Sequence, residues 1–297
     1  THLKCGKFVP LDRPVIFMDK LIHYITSERI CYIVLNRPEK RNALNPELVT
    51  ELTAAFSRAE EDESVKVIVF KANGEVFSAG ADLAYLQQLQ QNSYEENLED
   101  SNRLKNLFHT NHSCSKLVIG QVEGHAIAGG CGLISICDIV FSVPEAKFGY
   151  TEVKIGFIPA LVACYLVRKL GEARTKELLL SGELITAKTA AEYGLINFLS
   201  ESSSIDDDVR NYAMKIASGT SAESVARTKK LLSLIYDSPL AEGLSAPVQL
   251  NRAHRRRKAP APVPRRQMQT IRIACRAPPW RHHSSPRQCR RPCHSRL

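Results

Sequence analysis

Apolar and polar positions alternate clearly from Met18 onward, while residues 1–17 have no such pattern. Leu21–Thr26 and Ile30–Leu35 carry the branched and aromatic residues of strands. Asn45-Pro46 reads as a helix N-cap followed by proline at the first helical position. Leu48, Leu52, Phe56 and Ala59 then recur at helical spacing and give that helix one apolar face. Val65–Lys71 is a buried strand that runs into the turn Ala72-Asn73-Gly74. Residues 83–107 are rich in Gln, Glu and Asn with scattered Leu, which predicts an exposed helical excursion.

A second buried strand is expected at Leu117–Val122, followed by Gly124–Gly130 and an apolar helix to about Cys137. Ile139–Val143 reads as a strand. Pro159–Leu170 reads as a helix closed by Gly171, and Thr186 caps a short helix that ends at Gly194. Residues 209–232 read as mostly helical. Strands and helices alternate early and helices dominate late, so the fold class is α/β with a helical C-terminal section. The expected organisation is a core over residues 18–200, a helical region over 201–251 and a tail over 252–297.

Composition changes this picture only at the tail. The chain has 297 residues, enough for a substantial core, with 44% hydrophobic and 24% charged residues. Residues 252–297 hold 13 Arg, one Lys and no acid, a charge of +14 against +9 for the whole chain. The body is therefore mildly acidic, and a nucleic-acid surface on it is not indicated. The tail also has seven prolines and no amphipathic period. It fits either a disordered basic segment or a disturbed reading frame. Cys289, Cys293 and His294 there mimic metal ligands by chance composition, and no metal site is expected.

The nine cysteines form no C-x-x-C pair, and Cys31, Cys131, Cys137 and Cys164 sit in apolar stretches as reduced core residues. No apolar run is long enough for a bilayer, and no secretory signal pattern is seen. A cytoplasmic location without membrane contact is the expectation.

Three segments carry candidate chemistry. Phe77-Ser78-Ala79-Gly80-Ala81-Asp82-Leu83 follows a strand, and its small residues let backbone approach a ligand. Ala128-Gly129-Gly130-Cys131-Gly132 joins a strand to a helix, where free N–H groups favour negative charge. It lacks both G-x-G-x-x-G spacing and a Walker lysine. Glu152 lies in Phe148-Gly149-Tyr150-Thr151-Glu152-Val153-Lys154-Ile155-Gly156-Phe157-Ile158-Pro159. Each segment alone also fits a tight turn or a solvated loop.

In order and spacing the three together resemble the crotonase (enoyl-CoA hydratase/isomerase) superfamily, over roughly residues 18–251. Asn36-Arg37-Pro38, Ala43-Leu44-Asn45 and Gly194-Leu195-Ile196-Asn197 share the resemblance. Residues 121–133 and 149–160 look most like bacterial methylglutaconyl-CoA hydratase-type members. The resemblance implies a spiral of ββα units with a C-terminal helical trimerisation region, hence a homotrimer or a hexamer built as a dimer of trimers. It implies that the Ala81 and Gly129 N–H groups form an oxyanion hole for an acyl-CoA thioester, and that Glu152 moves the proton. Lys40, Arg41, Ala79, Asp82 and Leu83 match positions that line the CoA nucleotide site. Coenzyme A is then part of the substrate, and no separate cofactor is expected.

One departure bears on the chemistry. Hydratases of this family carry two glutamates, and the first falls at Gly132 here. Glycine cannot hold or deprotonate water. That weighs against two-glutamate hydration and favours an isomerase, whereas the similarity of residues 121–133 and 149–160 favours a lyase adding or removing water at a 2-enoyl-CoA, 3-methylglutaconyl-CoA among them, and the lyase is the reading taken. The alternatives are a double-bond isomerase using the single glutamate, and a non-catalytic CoA- or RNA-binding protein using the tail. Glu123, His125 and Tyr150 stand as reserve acid–base candidates.

Overall fold

A computed structural model of the chain describes residues 15–18 and 20–237. The tail over 252–297, with its cysteines, lies outside the described residues. Strands β1 (Val15–Met18), β2 (Ile22–Ser27) and β3 (Ile30–Leu35) form an antiparallel meander. β1 falls largely in the stretch without sequence pattern. Among the described strands it lies at the edge of its sheet and pairs with β2 alone.

Asn45 caps α1 (Pro46–Glu61) as its side chain accepts from Leu48 N at 2.9 Å. The apolar face Leu48, Leu52, Phe56 and Ala59 is fully buried. β4 (Val67–Ala72) follows in parallel with β3, then the short β5 (Val76–Ser78). The Gln/Glu-rich excursion is two helices, α2 (Leu83–Leu89) and α3 (Tyr94–Ser113). Only Leu107, Phe108 and Asn111 of α3 are buried. β6 (Leu117–Val122), β7 (His125–Ile127) and α4 (Gly129–Ser135) form the next unit. β8 (Ile139–Ser142) and β9 (Lys147–Gly149) then lead to α5 (Ala160–Ser181).

The helix expected to end at Gly171 does break there, with φ 76° and ψ 171°, but resumes at once and runs to Ser181. The true C-cap is Gly182, in the left-handed conformation. β10 (Ile185–Thr186), α6 (Ala187–Tyr193) and β11 (Phe198–Leu199) follow, and Thr186 caps α6 as expected. The C-terminal helical stretch is α7 (Ile205–Gly219) and α8 (Ala222–Asp237).

The strands divide into two sheets. Seven run in the order β1-β2-β3-β4-β6-β8-β11, and four in the order β10-β9-β7-β5. Each successive pair, β4 with β5, β6 with β7 and β8 with β9, contributes one strand to each sheet before a helix. That is the ββα spiral. α1 packs against β2 and β3, and α7 packs against β3, β4, β6 and β8. The core runs through all of these, with Phe56, Phe70 and Phe77 meeting edge to face at 5.5 and 5.3 Å. Cys31, Cys131 and Cys137 are buried in it as free thiols. Cys164 is exposed and Cys114 is buried instead.

Among the described residues no helix is long and apolar enough to cross a membrane, and no group of three metal-binding side chains occurs.

Candidate active site

The smaller sheet aligns the three segments that carry chemistry. β5, β7 and β9 are parallel neighbours, so their C-terminal ends fall side by side. From those ends the chain leaves through residues 79–82, Ala128-Gly129 and 150–152. Ligands of open α/β sheets gather at such strand ends.

The first exit is tied to the loop before α1. Ala79 N donates to Arg41 O at 3.0 Å, Leu44 N to Gly80 O at 2.7 Å and Asp82 N to Leu44 O at 2.9 Å. Leu44 and Ala81 thus form a parallel bridge in which the bonds belong to Gly80 and Asp82. The N–H of Ala81 points away from Leu44 and has no partner among the described residues.

The second exit turns through Ala128, whose φ of 49° and ψ of −125° are unusual for a residue with a side chain. Ala128 N donates to Gly149 O at 2.8 Å, and Ala128 O accepts from Gly132 N at 2.9 Å. Gly129 heads α4, and its N–H also has no partner among the described residues. The two exits touch. A Cβ on Gly129 would sit 4.0 Å from Gly80 Cα. A Cβ on Gly130 would strike Ser78 Cβ at 2.6 Å, so glycine is the residue that lets α4 pack here. Two free N–H groups on adjoining backbone can hold an oxygen that gains negative charge.

Glu152 opens a one-turn 3-10 helix, Glu152–Ile155, three residues beyond β9. Its Oε2 is buried and makes no hydrogen bond among the described residues. Burial raises its carboxyl above the ordinary glutamate value, partly opposed by its own backbone N–H. A carboxyl held that way accepts and returns a proton nearer neutral pH than a solvated one.

Gly132 is buried on α4. A Cβ there would lie 2.7 Å from Val162 Cγ2 and 3.0 Å from Phe108 Cζ. The space that a side chain at 132 would enter is filled by α5 and α3.

The reserve candidates lie elsewhere or are enclosed. Glu123 pairs with Lys71 at 3.2 Å and accepts from Gln121 Nε2 at 2.8 Å, in a cluster with Asp206 of α7. His125 Nδ1 accepts from Lys147 N at 3.2 Å. The Tyr150 ring is fully buried, and burial pushes its hydroxyl well above its usual range.

Of the positions expected around a nucleotide, Lys40 and Arg41 are exposed and beside the 79–82 segment, and Leu83 is 73% exposed. Asp82 is placed differently. Its Oδ2 accepts from Arg37 Nη1 at 2.7 Å, and its Oδ1 caps α2 by accepting from Ala84 N at 3.0 Å. Arg37 holds its carboxyl below the usual range. The carboxylate is committed to the loop, which leaves only its backbone for a ligand.

The sequence reading did not single out Asn42. It is fully buried, and its amide bonds three backbone groups around this loop. Its left-handed conformation cannot be read from the sequence alone.

Comparison with known proteins shows the family and the fold. The enoyl-CoA hydratase/isomerase family model matches residues 26–259. A putative enoyl-CoA hydratase of Thermus thermophilus is 39% identical over 219 residues, covering 74% of this chain and 86% of the relative. The (E)-benzylidenesuccinyl-CoA hydratase of Thauera aromatica is 34% identical, covering 73% and 84%. A crystal structure of a putative enoyl-CoA hydratase/isomerase (crotonase) from Legionella pneumophila superposes with a TM-score of 0.75 at 33% identity. It covers 86% of this chain and 96% of its own.

Proposed function

The chain belongs to the enoyl-CoA hydratase/isomerase family of enzymes, and from that premise we propose that it adds water to, or removes it from, a 2-enoyl-CoA thioester. The observation that carries this is the pair of N–H groups, Ala81 and Gly129, without a partner among the described residues, on touching loops beside the strand end that leads to Glu152. Hydration is favoured over isomerisation because the Thermus thermophilus and Thauera aromatica relatives are named hydratases.

The chemistry follows from three groups. The thioester carbonyl oxygen sits between the two N–H donors, each worth roughly 3–4 kcal/mol to a developing oxyanion. Glu152 takes a proton from water as the water oxygen bonds to the β-carbon. The electron pair of the C=C bond moves into the carbonyl as an enolate. The protonated Glu152 then returns that proton to the α-carbon, the enolate collapses and the carboxylate is restored. One carboxyl suffices if it serves both halves. Burial suits it to this, because it disfavours the ionised form without a fixed partner.

Lys40 and Arg41 are read as the cations that meet the CoA phosphates, supported by their exposure beside residues 79–82. Ala79, Leu83 and the backbone of Asp82 line the same place. The finer substrate reading is 3-methylglutaconyl-CoA, supported by the resemblance of residues 121–133 and 149–160. A homotrimer or dimer of trimers and a cytoplasmic location complete the reading. Light scattering tests the first of these.

A second reading is double-bond isomerisation, favoured by the missing carboxylate at Gly132. Both are tested by incubation with 3-methylglutaconyl-CoA and, separately, a 3-enoyl-CoA. A mass gain of one water, lost in Glu152→Gln, supports the hydratase. A conjugated enoyl absorbance from the 3-enoyl substrate without mass change makes it an isomerase. Hydration retained by Glu152→Gln overturns the single-carboxyl mechanism.

A further inference from the structure

Asn42 is fully buried and follows Arg41 in a left-handed turn, with φ of 52° and 50° for the two. Asparagine tolerates that conformation better than most residues, and glycine better still. What glycine lacks is the side chain, and here every part of that side chain is used. Oδ1 accepts from Arg37 N at 2.8 Å. Nδ2 donates to Asn73 O at 2.9 Å and to Val76 O at 2.8 Å. The Asn42 carbonyl accepts from Ser78 Oγ at 2.8 Å, and that same Oγ accepts from Gly80 N at 3.3 Å. One residue therefore joins the loop 36–45, the turn between β4 and β5, and both ends of β5.

The consequence reaches Ala81. Arg41 and Leu44, on either side of Asn42, supply the backbone bonds that hold Ala79, Gly80 and Asp82. Arg37 closes the other side, donating from Nη1 to Ala43 O at 2.9 Å and to Asp82 Oδ2 at 2.7 Å. Ala81 is the residue in this stretch whose N–H is left over. We propose that Asn42 is a positioning residue of the oxyanion site: it fixes the loop 36–45 so that residues 79–82 are clamped with the Ala81 N–H free beside Gly129. This rests on the oxyanion reading of Ala81 and Gly129. Asn42 touches no reacting atom, and it acts through geometry at the donor.

Asn42→Asp is the discriminating variant. It keeps the size, the turn and the acceptor for Arg37 N, but a carboxylate cannot donate to Asn73 O and Val76 O. A misplaced donor lowers kcat by about 10- to 100-fold with KM moved less than about threefold, because the oxyanion bond tightens in the transition state. Bound cinnamoyl-CoA gives a second readout. Donors on its carbonyl polarise the conjugated system and shift its absorbance to longer wavelength. The unsubstituted protein shows that shift, and folded Asn42→Asp shows less of it. Full kcat and a full shift in Asn42→Asp overturn the clamp. If circular dichroism finds that variant unfolded, Ser78→Ala takes its place, since it removes only the hydroxyl between Asn42 O and Gly80 N. A full shift and full kcat there overturn the clamp as well. No shift in the unsubstituted protein overturns the oxyanion reading itself, and the clamp with it.

Discussion

A methyl group on Gly80 would lie 2.7 Å from Ala128 Cβ and 3.3 Å from Gly129 N, so the loops that carry Ala81 and Gly129 meet with no room between them. Gly80 also has φ of 86°, a conformation that side chains strain to adopt. Gly80→Ala is expected to cost about 1–3 kcal/mol of stability through overpacking and strain. It also pushes the two donors apart. Urea unfolding measures the first effect, and turnover in protein that remains folded measures the second, with a loss of at least about tenfold expected.

The raised carboxyl of Glu152 fixes the direction of two pH effects. A folded-state value above the unfolded one means that the folded protein binds the proton more tightly. Stability therefore falls as pH rises from the ordinary glutamate value of 4.5 to the raised one, and stays lowered above it. Glu152→Gln removes that loss, so it is expected to be at least as stable as the parent at neutral pH while losing hydration. In the parent, the acid limb of kcat/KM should lie above 4.5, since the ionised form takes the proton from water. Denaturant titrations across pH and a kcat/KM profile check the two effects.

Placing a glutamate at position 132 is not expected to create two-carboxylate chemistry. The added side chain meets Val162 at 2.7 Å and Phe108 at 3.0 Å from its first carbon onward. Gly132→Glu should destabilise by about 1–3 kcal/mol from overpacking, and more where the carboxylate is buried unpaired. Hydration should not rise. Gly132→Glu combined with Phe108→Ala removes one of the two obstructing side chains and leaves Val162, and a rate gain in that double variant alone would make Phe108 the decisive obstruction.

The local parts of this site were legible in the sequence, and the long-range parts were not. Asn45-Pro46, Thr186 and Gly194 announce helix ends because capping is chemistry among neighbours in the chain. Glycine-rich strand exits announce close backbone approach for the same reason. Phe108 is different. It sits in a polar helix and fills the space beside Gly132, a relation between residues 24 apart that no periodicity encodes. The committed carboxylate of Asp82 is similar, since Arg37 reaches it from another loop. β1 escaped notice because an edge strand in an unpatterned stretch is specified by its partner, β2.

Lys40 and Arg41 give the last test. Neither side chain makes a hydrogen bond or ion pair with the described residues, and both are exposed beside the 79–82 loop. Long cationic side chains left unpaired there are available to phosphates, and exposed attraction of this kind weakens as salt screens it. Lys40→Ala and Arg41→Ala should each raise KM for a CoA thioester by about two- to tenfold while kcat holds, because the phosphates are bound equally in ground and transition states. The increase should shrink between about 0.05 and 0.5 M NaCl, as the parent's own KM rises. The same variants should leave KM unchanged for a short pantetheine thioester that lacks the nucleotide. An equal KM increase with that truncated substrate would place the two cations in the folding of the loop rather than on the phosphates.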